Sequence, residues 1–274
     1  MKAPKISIII PVLNEAATIQ ETLTRLQDAT EVEVIVVDGG SRDETVAIAL
    51  AKRGALSAQR CCVQPFGHEN SASPPEEQAQ IAHHLNKTLA PSLPVKVISA
   101  TAGRANQMNA GAAAATGDIL LFLHADTHLP TGFDTLIRQA LQNAGTVAGA
   151  FELRINAQRR GLRLVERMVN VRSRLLSMPY GDQAIFLKAT VFQEIGGFPD
   201  LPIMEDFELM LQLRRLGRIT IVPTPVLTSG RRWQKLGVMK TTLINQVIIA
   251  GYFLGIPPAK LVRRYRQGGF QRFR

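Results

Sequence analysis

The sequence of 274 residues predicts an α/β protein, with a mainly parallel sheet flanked by helices and a basic helical C-terminal tail. Two observations predict this fold class. In the first half, strand-like runs alternate with helix-like segments, and the runs are continuous stretches of β-branched residues, as in strands buried on both faces. With 46% hydrophobic and 20% charged residues, the chain has the composition of a globular protein of one large or two small domains.

The first half has the predicted order βαβαβαβ. Its strands are residues 5–13, 32–40, 94–99 and 118–126. After the first strand, residues 15–29 place Ile19, Leu23 and Leu26 on one face of a helix. An alanine-rich helix over residues 103–115 precedes the fourth strand. Because ligands of parallel sheets bind beyond the carboxyl ends of the strands, this order predicts a binding site at one edge of the sheet.

Residues 57–93 interrupt this alternation and are predicted to be a surface insertion, partly helical over residues 75–89. Its histidines are interpreted as exposed loop residues rather than metal ligands, because no second cluster completes a ligand set. The adjacent residues Cys61 and Cys62 bridge only with strain. Without any further cysteine, a disulfide-stapled domain and a cysteine zinc site are excluded.

The second half is less regular. Its predicted strands are residues 151–155, 182–187 and 219–227, and its predicted helices are residues 157–176, 189–195 and 205–217. No linker separates this half from the first. We therefore expect residues 1–235 to form one domain and residues 236–274 to form a basic, partly apolar helical tail.

The net charge of +10 is distributed unevenly. Residues 214–274 carry 13 Lys and Arg and no acid, which leaves −3 for the first 213 residues. This asymmetry indicates either an anionic partner, such as a membrane surface, or a solvated basic end. Residues 243–256 are apolar but too short for a bilayer span of about 20 residues, so they fit a membrane-interface helix or a helix packed on the body or a second subunit. Nucleic acid is a weak candidate, because the tail offers only Tyr265, Phe270 and Phe273 for stacking.

Carboxylates stand at three strand ends or helix starts, namely Asp38, Asp126 and the neighbours Glu205 and Asp206. A carboxylate at the mouth of a parallel sheet can accept from a nucleoside or hold a divalent cation. Each can instead cap a helix or form a turn, and for Asp38 both interpretations are open. In an extended segment, His124 and Asp126 would share one face about 6–7 Å apart and could clamp a metal-bound diphosphate.

Seven motifs, in order, carry a resemblance to a known family. They are IIIPVLNEAATI, VIVVDGGSRDET, GRANQMNAG, ATGDILLFLHADT, GDQAIFL, GGFPDLPIMEDFEL and RRW. Over residues 5–235, outside the insertion, the sequence resembles the family 2 glycosyltransferases, above all short single-domain bacterial members with H-A-D in place of D-x-D. The resemblance implies the A-type nucleotide-sugar transferase fold, with a Rossmann-like nucleotide-binding half and residues 1–235 as the catalytic domain.

The resemblance also implies a nucleotide site. Its residues would be Pro11, Glu15, Asp38, Gly39, Arg104, Asn109, His124 and Asp126. Asp38 matches the acid that reads the base, and Gly39 would let the backbone approach the base. Asp126 matches the acid that binds the metal, whereas His124 replaces the acid that contacts the ribose. A histidine in the metal shell would favour Mn²⁺ over Mg²⁺.

For catalysis, the resemblance implies Glu205 and Asp206, with Asp206 as the general base that deprotonates the attacking acceptor hydroxyl. The alternative is that both acids only favour the N-terminus of their helix. The acceptor side would contain Gly181, Asp182, Gln183, Gly197, Arg232 and Trp233. Trp233 can equally be a core anchor. Ser229 replaces the glutamine of the Q-x-x-R-W motif of processive members, which indicates a single transfer.

The resulting expectation is an inverting, metal-dependent glycosyltransferase. It would move one sugar from a nucleoside diphosphate sugar, a UDP-sugar first and a GDP-sugar next, to a small or lipid-linked acceptor. We expect a cytoplasmic protein, with attachment to the inner membrane face through the tail and homodimer formation as open alternatives. The competing functions are a non-catalytic anion- or membrane-binding protein and a nucleotidyltransferase. The latter would need a glycine-rich basic first loop, which PVLNEAATI lacks.

Overall fold

The structure of the protein is a computed structural model that describes residues 2–58, 93–158 and 161–267. The predicted helix over residues 75–89 lies outside these ranges, as do Cys61 and Cys62 and nearly all of the predicted insertion. The last seven residues of the tail, with Phe270 and Phe273, also lie outside them.

In the described ranges, eight strands form one sheet with the order β3-β2-β1-β4-β7-β6-β8-β5. The strands are β1 (Ile6–Val12), β2 (Val32–Asp38), β3 (Val95–Ser99), β4 (Ile119–Phe122), β5 (Thr127–His128), β6 (Thr146–Asn156), β7 (Phe186–Lys188) and β8 (Arg218–Ser229). Strands β1 to β4 are parallel, and β6 is parallel to β8. Strand β7 runs antiparallel to β4 and β6, and β5 pairs antiparallel with β8 at the edge. The prediction of a mainly parallel sheet is confirmed.

Helices cover both faces of this sheet, as predicted. They are α1 (Ala16–Thr24), α2 (Thr45–Ala58), α3 (Arg104–Ala113), α4 (Phe133–Gln142), α5 (Leu162–Leu176), α6 (Ala189–Glu194), α7 (Glu205–Leu216), α8 (Arg231–Leu236), α9 (Val238–Phe253) and α10 (Pro258–Gln267). Alternation along β1 directs Ile8 and Ile10 to the core under α1, α4 and α5, whereas Ile9 points to the opposite core, under α3 and α7. The predicted face of α1 is confirmed, because Ile19 and Leu23 are buried.

The C-terminal helices α9 and α10 contribute to the core under α3 and α7. Ile248 of α9 and Leu261 of α10 are buried there, and the Tyr252 hydroxyl of α9 donates to Glu208 of α7. The prediction that the apolar stretch packs on the body is therefore confirmed for this side of α9. In the part of the chain that the structure describes, no helix has the length and apolar character needed to cross a membrane.

Two strand predictions near the site are wrong. Residues 118–126 do not remain extended: β4 ends at Phe122, and the Thr127 amide donates to the His124 carbonyl in a turn. His124 and Asp126 therefore do not share a face by strand alternation. Residues 182–187 begin with a 3₁₀ turn over Gly181–Gln183, because Ala184 takes a left-handed conformation with φ of 52°. Only Phe186–Lys188 joins the sheet.

The edge of the sheet opposite the strand carboxyl ends is held together by the partly buried carboxylate of Glu33. It accepts hydrogen bonds from Lys5 Nζ at 2.8 Å, Ser7 Oγ at 2.5 Å and the Thr116 amide at 2.7 Å. Burial alone would raise the pKa of Glu33, but these donors outweigh burial and lower the pKa from 4.5 to about 2.

Glu33→Gln should therefore lower the free energy of unfolding by about 1–3 kcal/mol at pH 7, since folding favours the ionised carboxylate. The pKa of Glu33 is lower in the folded state, so its contribution is complete above pH 4.5 and disappears as the pH falls towards 2. Urea unfolding of both proteins at pH 7 and pH 3 measures this difference. An equal difference at the two pH values would contradict the role of the charge.

Candidate active site

A small pocket lies beyond the end of β4, where the starts of α3 and α7 and the 3₁₀ turn converge. Its polar lining comes from the side chains of Arg104, His124, Glu205 and Asp206, with the backbone of Gly181. Met108, Phe122, Ile185 and Phe198 supply apolar walls. The fold thus brings residues predicted for the nucleotide site and residues predicted for catalysis to one pocket.

The carboxylate of Asp206 is fixed by two backbone amides. The Gly181 amide donates to Oδ2 and the Phe207 amide donates to Oδ1, each at 2.8 Å. A side chain at Gly181 would crowd two neighbours, because a Cβ there would lie 3.2 Å from Asp206 Oδ2 and 3.3 Å from His124 Nε2. The glycine of G-D-Q therefore lets the carboxylate and the imidazole approach the same point of the pocket.

Glu205, the neighbour of Asp206, is committed to an ion pair. Only 1% of Glu205 is exposed, and its Oε1 lies 2.7 Å from Nε of Arg104, the first residue of α3. Burial raises the pKa of Glu205, and the charge of Arg104 opposes the rise. The pair ties the start of α3 to the start of α7.

Beside the pocket, Asp182 lies near the guanidinium groups of Arg172 from α5 and Arg232 from α8. Burial raises the pKa of Asp182, and the charge of Arg172 opposes the rise. Arg172 stacks on the ring of Tyr180 with Cζ 3.5 Å from the ring centroid, and Arg232 stacks on Tyr265 of α10 at 4.8 Å. The predicted acceptor residues Asp182 and Arg232 thus meet in one cluster, which α5 and α10 complete.

A second polar cluster joins residues that follow β1, β4 and β8. Arg231 Nη2 lies 2.9 Å from Asp126 Oδ2 and 3.3 Å from Glu15 Oε2. Arg231 Nε also donates to Ser229 Oγ at 3.0 Å. A guanidinium shared by two carboxylates shows that this place suits a cation, so Asp126 and Glu15 fit the divalent ion that the resemblance implies. Among the described residues, no group of three His, Cys, Asp or Glu side chains could hold a metal, so an ion here needs substrate oxygens as further ligands.

Asp38 forms the turn after β2. Its Oδ2 accepts from the Gly40 amide and its Oδ1 accepts from the Ser41 amide, each at 3.0 Å. The turn-forming interpretation is confirmed, and base recognition by Asp38 stays a prediction. Pro11 lies opposite Val37 in the register of β1 and β2, close to the ends of both strands, where the nucleotide residues were expected.

Gly39 is required by a neighbouring amide that sequence reasoning did not consider. A Cβ on Gly39 would lie 3.0 Å from Cδ of Gln107, a buried residue of α3. Gln107 Nε2 donates to the carbonyls of Val12 and Val37, each at 2.8 Å. This amide therefore fixes the ends of β1 and β2 relative to α3, and the small size of Gly39 makes room for it.

Two predicted ligand residues have structural roles instead. Asn109 Oδ1 accepts from the Phe198 amide at 2.9 Å, and its Nδ2 donates to the Phe198 carbonyl at 2.8 Å. Gly197, with φ of +78°, leaves room for this contact. Gln183 is fully buried and donates to the Phe151 carbonyl at 2.9 Å. Because both amides bind the protein's own backbone, ligand contacts of Asn109 and Gln183 have no support in this geometry.

Sequence reasoning missed four residues that shape the site: Gln107, Arg172, Arg231 and Tyr265. The polar Gln107 inside an alanine-rich helix was a usable signal, and so was Arg231 directly before Arg232 of the RRW motif. No local signal marks Arg172 or Tyr265, because only the tertiary fold brings α5 and α10 to the site. Trp233 is partly buried and packs against the core under α1, α4 and α5, which agrees with its interpretation as a core anchor, and its place on the acceptor side stays a prediction.

Comparison with protein families gives a match to the model described as Glycosyl transferase family 2. The match covers residues 7–64 and 70–197, which is more than half of the chain. It includes the segments that carry Glu15, Asp38 and Asp126 and ends before Asp206.

Among curated proteins, the chain is similar to PGL/p-HBAD biosynthesis glycosyltransferases of Mycobacterium bovis (strain BCG / Pasteur 1173P2) and Mycobacterium tuberculosis (strain ATCC 25618 / H37Rv). Each is 34% identical over 142 residues, which are 51% of this chain and 42% of the relative. The chain thus spans less than half the length of these curated relatives.

Solved structures with the same fold include S. aureus TarS 1–349 in complex with UDP, at 18% identity, with a TM-score of 0.56 over 86% of this chain and 63% of that chain. Mannosyltransferase PcManGT from Pyrobaculum calidifontis, in complex with GDP-Man and Mn²⁺, has 19% identity and a TM-score of 0.55 over 89% and 63%. Glucosyl-3-phosphoglycerate synthase from Mycobacterium tuberculosis, with Mn²⁺ and UDP, has 20% identity and a TM-score of 0.53 over 89% and 79%. At these identities the likeness shows the fold.

Proposed function

Because the chain belongs to glycosyl transferase family 2, we propose that it transfers one sugar from a nucleoside diphosphate sugar to an acceptor hydroxyl, with inversion at the anomeric carbon. The observation that carries this proposal is the pocket in which two amides orient the Asp206 carboxylate beside Arg104 and His124. A UDP-sugar is the first choice of donor and a GDP-sugar the second, since both nucleotides occur in complexes of proteins with this fold. Family membership also favours a transferase over a nucleotidyltransferase or a non-catalytic binding protein.

Asp206 suits the role of general base better than Glu205. Its carboxylate lines the pocket, and the amides of Gly181 and Phe207 hold its orientation. From there it would accept the proton of the acceptor hydroxyl while that oxygen attacks the sugar on the face opposite the diphosphate. Glu205 is buried against Arg104, and this ion pair engages its carboxylate within the protein.

On the donor side, Asp126 would hold a divalent cation, Mn²⁺ or Mg²⁺, with Glu15 as its neighbour. Such an ion acts as a Lewis acid that stabilises negative charge on the leaving diphosphate. Arg231 would then release Asp126 and remain near as a positive charge that can pair with phosphate oxygens. This arrangement supports metal-dependent donor binding.

On the acceptor side, Asp182 and Tyr265 lie near enough to Asp206 and Arg232 for their charges to interact. The acceptor is a small or lipid-linked hydroxyl compound. Ser229, in place of the motif's glutamine, supports a single transfer rather than chain extension. A lipid-linked acceptor agrees with the basic charge of the C-terminal helices and with apolar side chains that α9 leaves exposed, such as Leu243 and Phe253.

A thermal-shift screen tests this function. The protein is heated with UDP- and GDP-sugars, each with Mn²⁺, with Mg²⁺ or with a chelator. The true donor should stand out, because stabilisation grows with the logarithm of ligand saturation. Sugar transfer is then sought with that donor and a panel of hydroxyl acceptors, by mass spectrometry. Equal, negligible shifts with every nucleotide sugar would contradict the proposal.

Asp126→Ala should abolish the metal-dependent part of donor binding and leave the fold intact, because a carboxylate in a turn contributes little to the core. Isothermal titration with the donor, with and without Mn²⁺, measures this loss. Asp28→Ala is the matched control, since Asp28 is an exposed carboxylate between α1 and β2, at the opposite edge of the sheet. Metal-dependent binding that survives in a folded Asp126→Ala protein would show that the cation binds elsewhere.

A further inference from the structure

Helix α5 exposes an apolar stripe. Leu164, Met168, Val171 and Leu175 are exposed by 62%, 58%, 47% and 78%, respectively. They occur at positions i, i+4, i+7 and i+11, which places them on one face of the helix. Apolar residues with this spacing usually face a protein core, and an exposed row of them marks an interaction surface.

A second apolar row lies on the neighbouring helix α9. Met239, Leu243 and Val247, at positions i, i+4 and i+8, are all exposed. The two helices begin side by side, since a Cβ on Gly161, just before α5, would lie 3.7 Å from Val238 Cγ1, at the start of α9. The starts of the two helices are thus close in space, and each helix carries one exposed apolar row.

The charge around these rows is positive. Helix α5 carries four arginines, of which Arg172 covers Tyr180 and Arg174 pairs with Glu152 at 2.6 Å, so that Arg163 and Arg167 remain beside the stripe. Its one acid is Glu166. That acid is buried and bound by the Ile155 amide and by Arg163, so α5 presents no acid to the solvent. Residues 231–267, which form α8 to α10, contain no Asp or Glu at all. An apolar row beside Arg167 and the basic helices α8 to α10 is the pattern of a surface that lies in the interface of an anionic bilayer.

The inner side of α5 reaches the site. Ser173 Oγ donates to Oε1 of Gln183 in the 3₁₀ turn at 2.9 Å, and Arg172 covers Tyr180, which precedes Gly181. One face of α5 therefore contacts the segment whose Gly181 amide orients Asp206, and another face exposes the apolar stripe.

From these contacts we propose that the exposed rows of α5 and α9 dock this protein on an anionic membrane surface. The stripe enters the apolar boundary of the bilayer, and Arg167 contacts lipid phosphates together with the exposed basic side chains of the C-terminal helices. Docking in this orientation brings the acceptor side of the pocket to the membrane. The assignment of that side rests on the proposed function, whereas docking itself can be measured without donor or acceptor.

The test is co-sedimentation of the full chain with vesicles. Wild-type protein should bind vesicles of phosphatidylcholine with phosphatidylglycerol at least tenfold more strongly than vesicles of phosphatidylcholine alone, and high salt should weaken the binding. The double variant Met168→Glu/Leu175→Glu should lose tenfold or more of the binding to anionic vesicles. Both side chains are exposed, so thermal unfolding should stay as in the wild type.

Leu50→Glu is the matched control. Leu50 is also exposed, on α2, which packs near β3 at the far end of the sheet, and its substitution should leave vesicle binding unchanged. If the wild-type protein did not bind anionic vesicles at low salt, the proposal would be overturned. The proposal is also overturned if the double variant binds anionic vesicles as well as the wild type does. Vesicle binding would then be due to the arginines of the tail.

Light scattering separates the remaining alternative. If the wild type is a dimer that the double variant breaks, with vesicle binding unchanged, the rows cover a second copy of the chain and the proposal is wrong. Donor stabilisation in the thermal-shift screen reports on the proposed function independently. If no nucleotide sugar stabilised the protein but the protein still bound anionic vesicles, the enzyme assignment would be refuted and the proposed docking surface would be retained.

Discussion

Asp206→Asn should slow sugar transfer by about 10²–10⁴-fold and leave donor binding nearly unchanged, because an amide keeps the shape of the carboxylate but cannot accept the proton. Steady-state kinetics with the donor found in the thermal-shift screen should show the loss in kcat. The affinity for the donor, measured by titration, should stay within a few-fold of the wild type.

This substitution has one structural cost that needs a control. The carboxylate accepts from two amides on separate oxygens, those of Gly181 and Phe207, whereas an asparagine has one acceptor oxygen. One amide loses its partner, so a loss of about 1 kcal/mol in unfolding free energy is expected. If Asp206→Asn kept its activity and Glu205→Gln abolished it, the base would be Glu205.

Glu205→Gln should lower the free energy of unfolding by about 3 kcal/mol, since removing one partner of a buried ion pair leaves the other charge without compensation. The remaining charge is that of Arg104, whose side chain is 31% exposed, so we expect the lower end of the usual range. Urea unfolding at pH 7 measures the change. The double variant Arg104→Met/Glu205→Leu should recover most of the loss, because it removes both charges together.

An exposed ion pair of the same chain serves as the control. Arg25 and Glu21 in and after α1 are 2.8 Å apart, with side chains 51% and 56% exposed. Glu21→Gln should change stability by less than about 0.5 kcal/mol, since solvent screens such pairs. Similar small losses for Glu205→Gln and Glu21→Gln would show that the Arg104 pair does not hold α3 and α7 together.

Local patterns predicted the first half of the fold well, because its strands are buried on both faces and read as continuous apolar runs. The same patterns could not give the direction of β7. Only Phe186–Lys188 joins the sheet there, and its antiparallel pairing depends on β4 and β6, which lie far away in sequence. The two residues of β5 are also too few for any periodicity.

In the site, the residues found from sequence are those that directly follow a strand or start a helix, such as Asp126 and Asp206. The missed ones depend on long-range contacts. Arg231 meets Asp126 across 105 positions of the chain. Asn109 has a role that the sequence did not reveal, since its amide binds the backbone of Phe198, 89 positions away, while its place in the nucleotide site stays a prediction.

The position of β1 between β2 and β4 also bears on how fast the protein folds and unfolds. Pairing of β1 with β4 joins distant parts of the chain, as in the hydrogen bond between the Lys5 amide and Asp118, 113 positions apart. Closing such a long loop costs entropy, and chains dominated by distant pairings fold slowly. The proposed donor site uses residues that follow β1 and β4, so this site is complete only once the two strands have paired. A bound donor should therefore lengthen the lifetime of the folded protein by slowing its unfolding, and leave the refolding rate unchanged.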